Sequence, residues 1–246
     1  MDRGSYIAGN GMIAQQQRLD TLANNLANVN SRGFKADRLT FGDMMRRNLA
    51  DRAGYGNLIG TLTSGPEAKG TEITNLGEGG SELTNNPLDV RISGRETAML
   101  AVSHGGKTLY TRDGALTLDS RGSLITKGGD PVLDDAGRPI GGLTNRVEIR
   151  PDGSVIQDNR TVARLGLKVG AFRKSEEGGL LFDGARLHQA TAADGVQVAS
   201  GQIETSNVDP VHTMIDMIAL QRAYEINQKM VQSQDESTAK LAEAMG

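Results

Sequence analysis

Glycine and proline are distributed unevenly along this chain of 246 residues, and they limit where long helices can form. The stretch from Val211 to Met245 contains neither residue, whereas most of the 32 glycines lie between residues 33 and 201. In a helix interior, glycine costs about 1 kcal/mol and proline about 3 kcal/mol relative to alanine. The distribution therefore predicts helices at the two ends and a middle built from other elements.

The C-terminal stretch carries the signals of a helix start. Asp209 is a good N-cap, and Pro210 suits the first helical position, where its missing N–H is harmless. Near this start, apolar side chains point to nearly every side of the predicted helix: Val211, Met214, Ile215, Met217, Ile218 and Leu220. A helix that is apolar all round is buried all round, so we expect this helix to be packed on most sides.

The N-terminal stretch has helical spacing and ends at a glycine. One set of residues recurs at alternating steps of four and three, the spacing of a coiled-coil seam: Ala8, Met12, Gln15, Leu19, Leu22, Leu26 and Val29. Gly33 suits the left-handed conformation that follows a helix C-terminus.

Asparagines occupy the face opposite this seam, where a solvated helix usually carries lysine and glutamate. Asn24, Asn25 and Asn28 are short neutral amides that both donate and accept hydrogen bonds. One interpretation is an ordinary solvated helix that happens to use asparagine. The other is that this face packs against other backbones or side chains, where the amides fix the register, as a buried asparagine does in a coiled coil.

Between the two ends, the hydrophobic pattern changes to alternation. Four short segments alternate, separated by turn-forming pairs such as Asp113-Gly114: Leu88–Ile92, Leu116–Leu118, Val147–Ile149 and Leu165–Val169. Short strands at this spacing are typical of an antiparallel sandwich or barrel. Residues 42–82 are rich in glycine, threonine and asparagine, and they predict an extended loop.

Together these patterns predict an α+β fold. Long N- and C-terminal α-helices, in residues 1–35 and 206–246, would pack as a coiled-coil-like core domain. A mainly antiparallel β-domain at residues 83–205 would be inserted between them, after an extended linker at residues 36–82. Aromatic residues make up only 3% of the chain. A core so poor in large side chains is thin, which favours a fold completed by association.

The composition bears on several classes of function. The chain has no cysteine, so it has no disulfide, thiolate nucleophile or cysteine-ligated metal. Its net charge of −3 does not indicate a nucleic-acid-binding protein. No stretch approaches the roughly 20 apolar residues that span a bilayer. The first residues, Met1-Asp2-Arg3-Gly4, lack the apolar core of a secretory signal, so we expect any export to proceed without a cleaved leader.

No enzyme site is recognisable in the sequence. His212 and Asp216 are four residues apart on the predicted helix, a spacing that can supply two metal ligands, but no third ligand is apparent nearby. The acidic run from Asp130 lacks the spacing of a calcium loop, and the glycines of residues 77–80 lack the lysine of a phosphate loop. We therefore expect no catalytic residue, no metal and no cofactor.

Three parts of the chain resemble the signatures of bacterial flagellar rod and hook proteins. They are Ala23–Asn30 with Gly33-Phe34-Lys35, Asn86–Val90 with Tyr110–Gly114 and Asp119–Gly122, and Ser206–Val211 with Met217–Glu225. The length and the modest central domain most resemble members of the proximal rod, and distal-rod and hook proteins are the alternatives. After Gly94 the family usually continues with a glycine and paired phenylalanines, whereas this chain has Arg95-Glu96-Thr97-Ala98.

The resemblance implies a structural subunit of a hollow helical tube that crosses the periplasm, transmits torque and conducts exported subunits. Its partners would be copies of itself, other proximal and distal rod proteins and the flagellar type III export apparatus, without nucleic acid or membrane insertion. The expected assembly interface comprises Leu19, Leu22, Asn24, Asn25, Leu26, Asn28, Val29, Gly33, Phe34, Met214, Ile215, Ile218, Arg222, Tyr224, Ile226 and Met230. An alternative of another class is a binding protein in which a terminal coiled coil presents the β-domain.

Overall fold

The computed structural model of the chain describes residues 3–40, 71–144 and 146–244. The chain forms two compact units. One, the helical unit, comprises residues 1–27, 37–73 and 209–246, and the other, the β unit, comprises residues 28–36 and 74–208. Each unit is therefore assembled from segments that are far apart in sequence.

The helical unit contains two α-helices and a pair of short strands. Helix α1 spans Arg3–Ala27 and helix α2 spans Pro210–Ala244. Strands β1 (Asp37–Thr40) and β2 (Thr71–Thr74) form a two-stranded sheet. Both α2 and β1 pack against α1, so α1 is the centre of this unit.

The β unit contains thirteen strands in its described residues, with a 3-10 helix at Ala192–Asp194. The strands are β3 (Ser81–Leu83), β4 (Val90–Ser93), β5 (Ala98–His104), β6 (Lys107–Thr111), β7 (Leu116–Leu118), β8 (Leu124–Thr126), β9 (Val147–Ile149), β10 (Ser154–Gln157), β11 (Arg160–Arg164), β12 (Leu167–Lys174), β13 (Leu181–Gln189), β14 (Gln197–Ser200) and β15 (Gln202–Glu204).

These strands form small antiparallel sheets around one core. Strands β12, β13, β6 and β5 close a barrel, β11, β10 and β9 form a three-stranded sheet, and β7 pairs with β8. The first strands of the unit pair with the last ones, since β3 lies beside β15 and β4 beside β14. The main hydrophobic cluster of this core comprises Val90, Ile92, Ala98, Leu100, Val102, Leu109, Leu116, Leu124, Val132, Ile140, Leu143, Val147, Ile149, Val155, Leu165, Leu167, Val169, Ala190 and Val198.

The prediction of a fold organised on a coiled-coil-like core of long terminal helices is wrong. In the described residues fifteen strands accompany two α-helices, and the hydrophobic core lies entirely between Val90 and Val198. On the described parts of α1 and α2, the buried side chains are polar ones, Asn25 and Thr213. The physical reason is that heptad spacing gives a helix an apolar side, whereas a core also needs a second layer that covers that side.

The predicted helix boundaries rest on correct local chemistry. The Asp209 carboxylate accepts hydrogen bonds from the backbone N–H groups of Val211 and His212, at 2.9 and 3.1 Å, and α2 begins at Pro210. The backbone bond from His212 is the main reason that the pKa of Asp209 lies below its usual value. Gly33 adopts the predicted left-handed conformation, with φ of 64°. The start signal at Asp209 and Pro210 is therefore confirmed, whereas α1 already ends at Ala27 and Gly33 lies in the turns that follow it.

The segment that departs from the family pattern forms a tight turn between β4 and β5. Gly94 has φ of 93°, and a side chain there would meet the Gly195 carbonyl oxygen. The Arg95 guanidinium donates to the Asp194 carboxylate at 2.8 Å. That carboxylate also accepts from the backbone N–H and the hydroxyl of Thr191, and these two bonds lower the pKa of Asp194 to about 2. An ion pair thus holds this turn at the surface of the β unit.

Most of the predicted loop at residues 42–82 lies outside the described residues, which resume at residue 71. Its described end contributes β2 and β3. Among the described residues, no helix has the length and apolar character required to cross a membrane.

Candidate assembly interface

Helix α2 has two different faces. Residues that are buried or half-buried lie along one side of it: Thr213, Met217, Leu220, Ala223, Tyr224, Asn227 and Val231. The Asn227 amide donates to the Gln15 side-chain oxygen of α1 at 3.1 Å, which identifies this side of α2 as the one that contacts α1. Tyr224, an expected interface residue, is half-buried on this side of α2.

The other face of α2 is open, and it carries large hydrophobic side chains together with the exposed charges of Glu225 and Lys229. Its large hydrophobic side chains are between 50% and 63% exposed: Val211, Met214, Ile215, Ile218, Ile226 and Met230. Arg222 is exposed between them. Five of these six hydrophobic residues were expected at an interface from sequence, and the sixth is Val211. We refer to these six residues as the α2 stripe.

The leucines of the predicted seam on helix α1 are only partly buried. Leu19, Leu22 and Leu26 are half-buried, whereas Asn24 on the other side of the helix is exposed. Ile13 is 51% exposed and was not among the expected interface residues. The seam spacing alone does not reveal Ile13, because it lies one position beyond Met12 and outside the four-three repeat.

Asn25 is buried, and both ends of its amide are used. It donates through Nδ2 to the Asp37 carbonyl oxygen at 2.8 Å, and its Oδ1 accepts from the Asp37 backbone N–H at 2.9 Å. The side chain thus pairs with one residue of β1 as a neighbouring strand would. For Asn25, the interpretation of amides packed against backbone is confirmed, although the backbone belongs to its own chain.

A groove of about 500 Å³ lies within the helical unit, between α1, β1 and α2. Its walls combine apolar side chains with charges of both signs: Leu22, Leu39, Leu220, Arg18, Arg38, Asp37 and Asp216. Because the groove carries charges of both signs, its chemistry suits the binding of a protein surface, which also carries both signs, better than the binding of a ligand with charges of one sign.

Four expected interface residues lie in the β unit instead of the helical unit. Asn28 and Val29 are half-buried, and Gly33 and Phe34 are buried. Phe34 is only 3% exposed, and the Lys174 ammonium lies 5.3 Å from its ring centroid. A side chain at position 33 would lie 2.5 Å from the Arg112 carbonyl carbon, so this close approach as well as the positive φ requires glycine.

Sequence reasoning missed a cluster of three buried charges, here called the junction cluster: Lys35, Arg112 and Glu204. The Glu204 carboxylate accepts from Lys35 Nζ at 2.6 Å and from Arg112 Nε at 2.8 Å, and all three side chains are at most 1% exposed. The residues are far apart along the chain, and no spacing rule connects them. Lys35 and Arg112 do occur in the family signatures, but those signatures do not indicate a shared partner.

The environment moves the pKa values of two members of the junction cluster. Burial alone raises the pKa of Glu204, but the nearby Arg112 and Lys35 charges outweigh it and hold the pKa below its usual value. Burial lowers the pKa of Lys35, against the raising effect of Glu204. The Glu204 carboxylate, within 2.6 Å of Lys35 Nζ and 2.8 Å of Arg112 Nε, is therefore the counter-charge of both cations.

Backbone hydrogen bonds join the two chain segments beside this cluster. The Gly33 N–H donates to the Glu204 carbonyl oxygen at 2.8 Å, and the Ala36 N–H donates to the Asn207 side-chain oxygen at 2.8 Å. The Asn207 amide donates in turn to the carbonyl oxygens of Asn75 and Gly77, at 2.9 Å each. The segment that follows α1 and the segment that precedes α2 therefore lie side by side in the β unit.

The described residues contain no group of three or more side chains suited to hold a metal ion. His212 does not pair with Asp216, since its Nδ1 lies 2.6 Å from the Asp209 carboxylate. That histidine contributes to the start of α2.

Comparison with known families places matches at both ends and in the middle of the chain. The family described as "Flagella basal body rod protein" matches residues 6–35, and "Flagellar basal body rod FlgEFG protein C-terminal" matches residues 199–244. Between them, "Flagellar hook protein FlgE/F/G D1 domain" matches residues 93–157.

Curated relatives cover nearly the whole chain. The flagellar basal-body rod protein FlgG of Buchnera aphidicola subsp. Acyrthosiphon pisum is 31% identical, over 97% of this chain and 98% of its own length. FlgG of Borreliella burgdorferi is 34% identical, over 96% of each chain. FlgF of Caulobacter vibrioides is 31% identical, over 100% of this chain and 99% of its own length. Identity at this level does not separate FlgF from FlgG.

Proposed function

Because this chain belongs to the flagellar basal-body rod protein family, whose members are structural proteins and not enzymes, we propose that it binds neighbouring subunits through the α2 stripe. The protein is a structural subunit of the rod, assembles with other rod proteins and is part of the flagellum. The proposal concerns which residues make the contacts and where in the rod the subunit lies.

The exposure of the α2 stripe carries this proposal. Six large hydrophobic side chains on one side of α2 are at least half exposed, although α1 covers the other side. Several large apolar side chains exposed on one side of a helix mark a protein contact. Burying a Leu- or Ile-sized side chain contributes about 1.5–3 kcal/mol, so a neighbour that covered this face would gain most of its binding energy there.

The rest of the helical unit supplies a different surface for the neighbour. The α2 stripe and the groove beside Leu22 and Leu39 are distinct, so one copy's stripe meeting another copy's groove makes a contact between unlike surfaces. Contacts between unlike surfaces generate an open helix when the rotation does not close. We propose that the subunits wind in this way into a hollow tube that transmits torque and through which other subunits pass.

We assign the subunit to the proximal rod, as an FlgF-type protein, on its length and modest central β-domain. The distal rod is the second candidate, since FlgG relatives are as similar as FlgF relatives. For either position we propose that the type III export apparatus delivers the chain to the periplasmic rod. A density map of isolated basal bodies, traced through both termini of each subunit, tests the position.

The test of the interface is a charge placed in the α2 stripe. Replacing Ile218 with aspartate leaves the isolated subunit folded, because Ile218 is 52% exposed. In the rod the same carboxylate would be buried without a partner, so incorporation into basal bodies and swimming are expected to be lost. The measurement is the amount of subunit in purified basal bodies, together with motility.

The matched control is Gln228→Asp, which adds the same charge at an exposed polar position of the same helix. Normal incorporation is expected for this variant. Wild-type incorporation of Ile218→Asp, or equal loss in both variants, would refute the assignment of the α2 stripe to the interface.

A further inference from the structure

The junction cluster lies where the two ends of the β unit meet. Lys35 comes from the first segment of the unit, Arg112 follows β6, and Glu204 ends the last strand, β15. One carboxylate thus faces two buried cations that belong to widely separated parts of the chain. Besides Glu204, Arg112 donates to the carbonyl oxygens of Arg95 and Ala98.

Each cation depends on the same carboxylate for its charge balance. The described partners of the Lys35 ammonium are Glu204 Oε1 and the Gly77 carbonyl oxygen, at 2.6 and 2.7 Å. Glu204 Oε1 also accepts from the Gly79 N–H at 2.8 Å. Removing one partner of a buried ion pair is strongly destabilising, because the remaining charge stays out of water without compensation. Without Glu204, two like charges would be left together in the interior.

The last strands also complete the pairing and the core of the first ones. Strand β14 pairs with β4 from Gln197 opposite Ser93 to Ser200 opposite Val90, and β15 pairs with β3. Val198 of β14 belongs to the same core as Val90 and Ile92. Residues 197–208 therefore supply backbone partners, apolar contact and the balancing charge at once.

We infer that the β unit closes, that is, reaches its folded state, only when residues 197–208 pack against its first strands. The Glu204 carboxylate is the charge that makes this packing possible. A chain that lacks this segment holds two cations that cannot be buried, so the rest of the β unit does not reach its folded state alone. When the chain emerges progressively from one end, residue 35 and residue 204 must both have emerged before the β unit can close. The β unit therefore stays unfolded until nearly the whole chain is present. This inference does not depend on the rod interface proposed above.

The first test is a double-mutant cycle in the full chain. Glu204→Gln keeps the shape of the side chain and removes its charge, and it is expected to lower the folding equilibrium constant of the β unit about 100-fold or more. Lys35→Met alone is also destabilising. In the Glu204→Gln background, however, Lys35→Met is expected to restore part of the lost stability, because it removes one of the two unpaired cations.

Lys107 and Glu177 form the matched control. Their side chains are 70% and 40% exposed and pair at 2.8 Å, so Lys107→Met and Glu177→Gln are expected to change the urea midpoint little and to combine additively. If Lys35→Met lowered stability equally with and without Glu204, the cluster would be ordinary packing and the inference would be wrong.

Native-state hydrogen exchange of the unmodified protein provides the second test. If residues 197–208 are required for closure, amides of β14 and β15 open with the same free energy as those of β5 and β6 in the barrel. Selective opening of β14 and β15 at low denaturant, while β5 and β6 stay protected, would mean that the unit holds together without its last segment. That outcome would overturn the inference while leaving the rod function untouched.

Discussion

The two units of this protein differ in what they do with apolar side chains. The β unit encloses its apolar residues in a core where Leu100, Val102 and Leu124 are at most 1% exposed. In the helical unit, the buried side chains of the described helices are polar, and the large apolar ones of the α2 stripe face outward. The first unit encloses its apolar side chains within one molecule, and the second leaves several of them exposed.

The difference follows from the number of layers. Small sheets and a barrel surround the β core from several directions, so each inward side chain meets another sheet. Two helices and a short two-stranded sheet can cover one side of α2 but not the other. The enclosed core and the exposed apolar side chains therefore belong to different units of the same chain.

The largest effect that tests this comparison is a matched pair of truncations. Leu100→Ala is expected to lower the free energy of unfolding of the β unit by about 2–5 kcal/mol, because it leaves a cavity in an enclosed core. Ile226→Ala, at a position 61% exposed, is expected to change the free energy of unfolding of the isolated subunit by about 0.5 kcal/mol or less. Urea denaturation followed by circular dichroism measures both. Similar losses of unfolding free energy for the two variants would contradict this difference between the two units.

A second effect tests the polar side of the helical unit. Asn25→Ala removes both hydrogen bonds to Asp37 and leaves a buried backbone N–H and carbonyl without this partner. The helical unit is expected to lose about 2 kcal/mol of its unfolding free energy, and β1 amides are expected to exchange faster. Asn30→Ala, at an exposed asparagine, is the control. Unchanged exchange in β1 for Asn25→Ala would show that the amide does not hold this strand.

The smallest expected effect is the response of the β unit to acid. The pKa of Glu204 in the folded state lies below its ordinary value of 4.5. Its contribution to stability is therefore present above pH 4.5 and is lost as the pH falls through the folded-state pKa. Burial raises the pKa of Asp113, and that carboxyl acts in the opposite sense.

The quantity to measure is therefore a difference between two proteins. The wild-type urea midpoint is expected to fall more steeply with acid than that of the Lys35→Met/Glu204→Gln variant, which lacks the titrating carboxylate. Parallel curves for the two proteins from pH 6 to pH 3 would contradict a buried ionised Glu204.

Local chemistry could be predicted along the chain, and the arrangement of the units could not. The cap at Asp209, the glycine at position 33 and the strands at Leu116–Leu118 and Val147–Ile149 depend on neighbouring residues, so a short stretch of sequence is sufficient to recognise them. The prediction of a coiled-coil-like core failed because Leu19, Leu22 and Leu26 have the right spacing but only partial cover. Spacing describes one helix, whereas burial depends on what packs against it.

The sequence by itself determined where the two terminal helices and four of the fifteen described strands lie, because capping, turn formation and alternation are properties of a few adjacent residues. It also determined the family, since signatures survive as local strings such as Ala23–Asn30. Only the tertiary structure decided that Lys35, Arg112 and Glu204 share one buried site and that one face of α2 stays open. Those two facts depend on distances between residues far apart in the chain, and such distances exist only after the chain has folded.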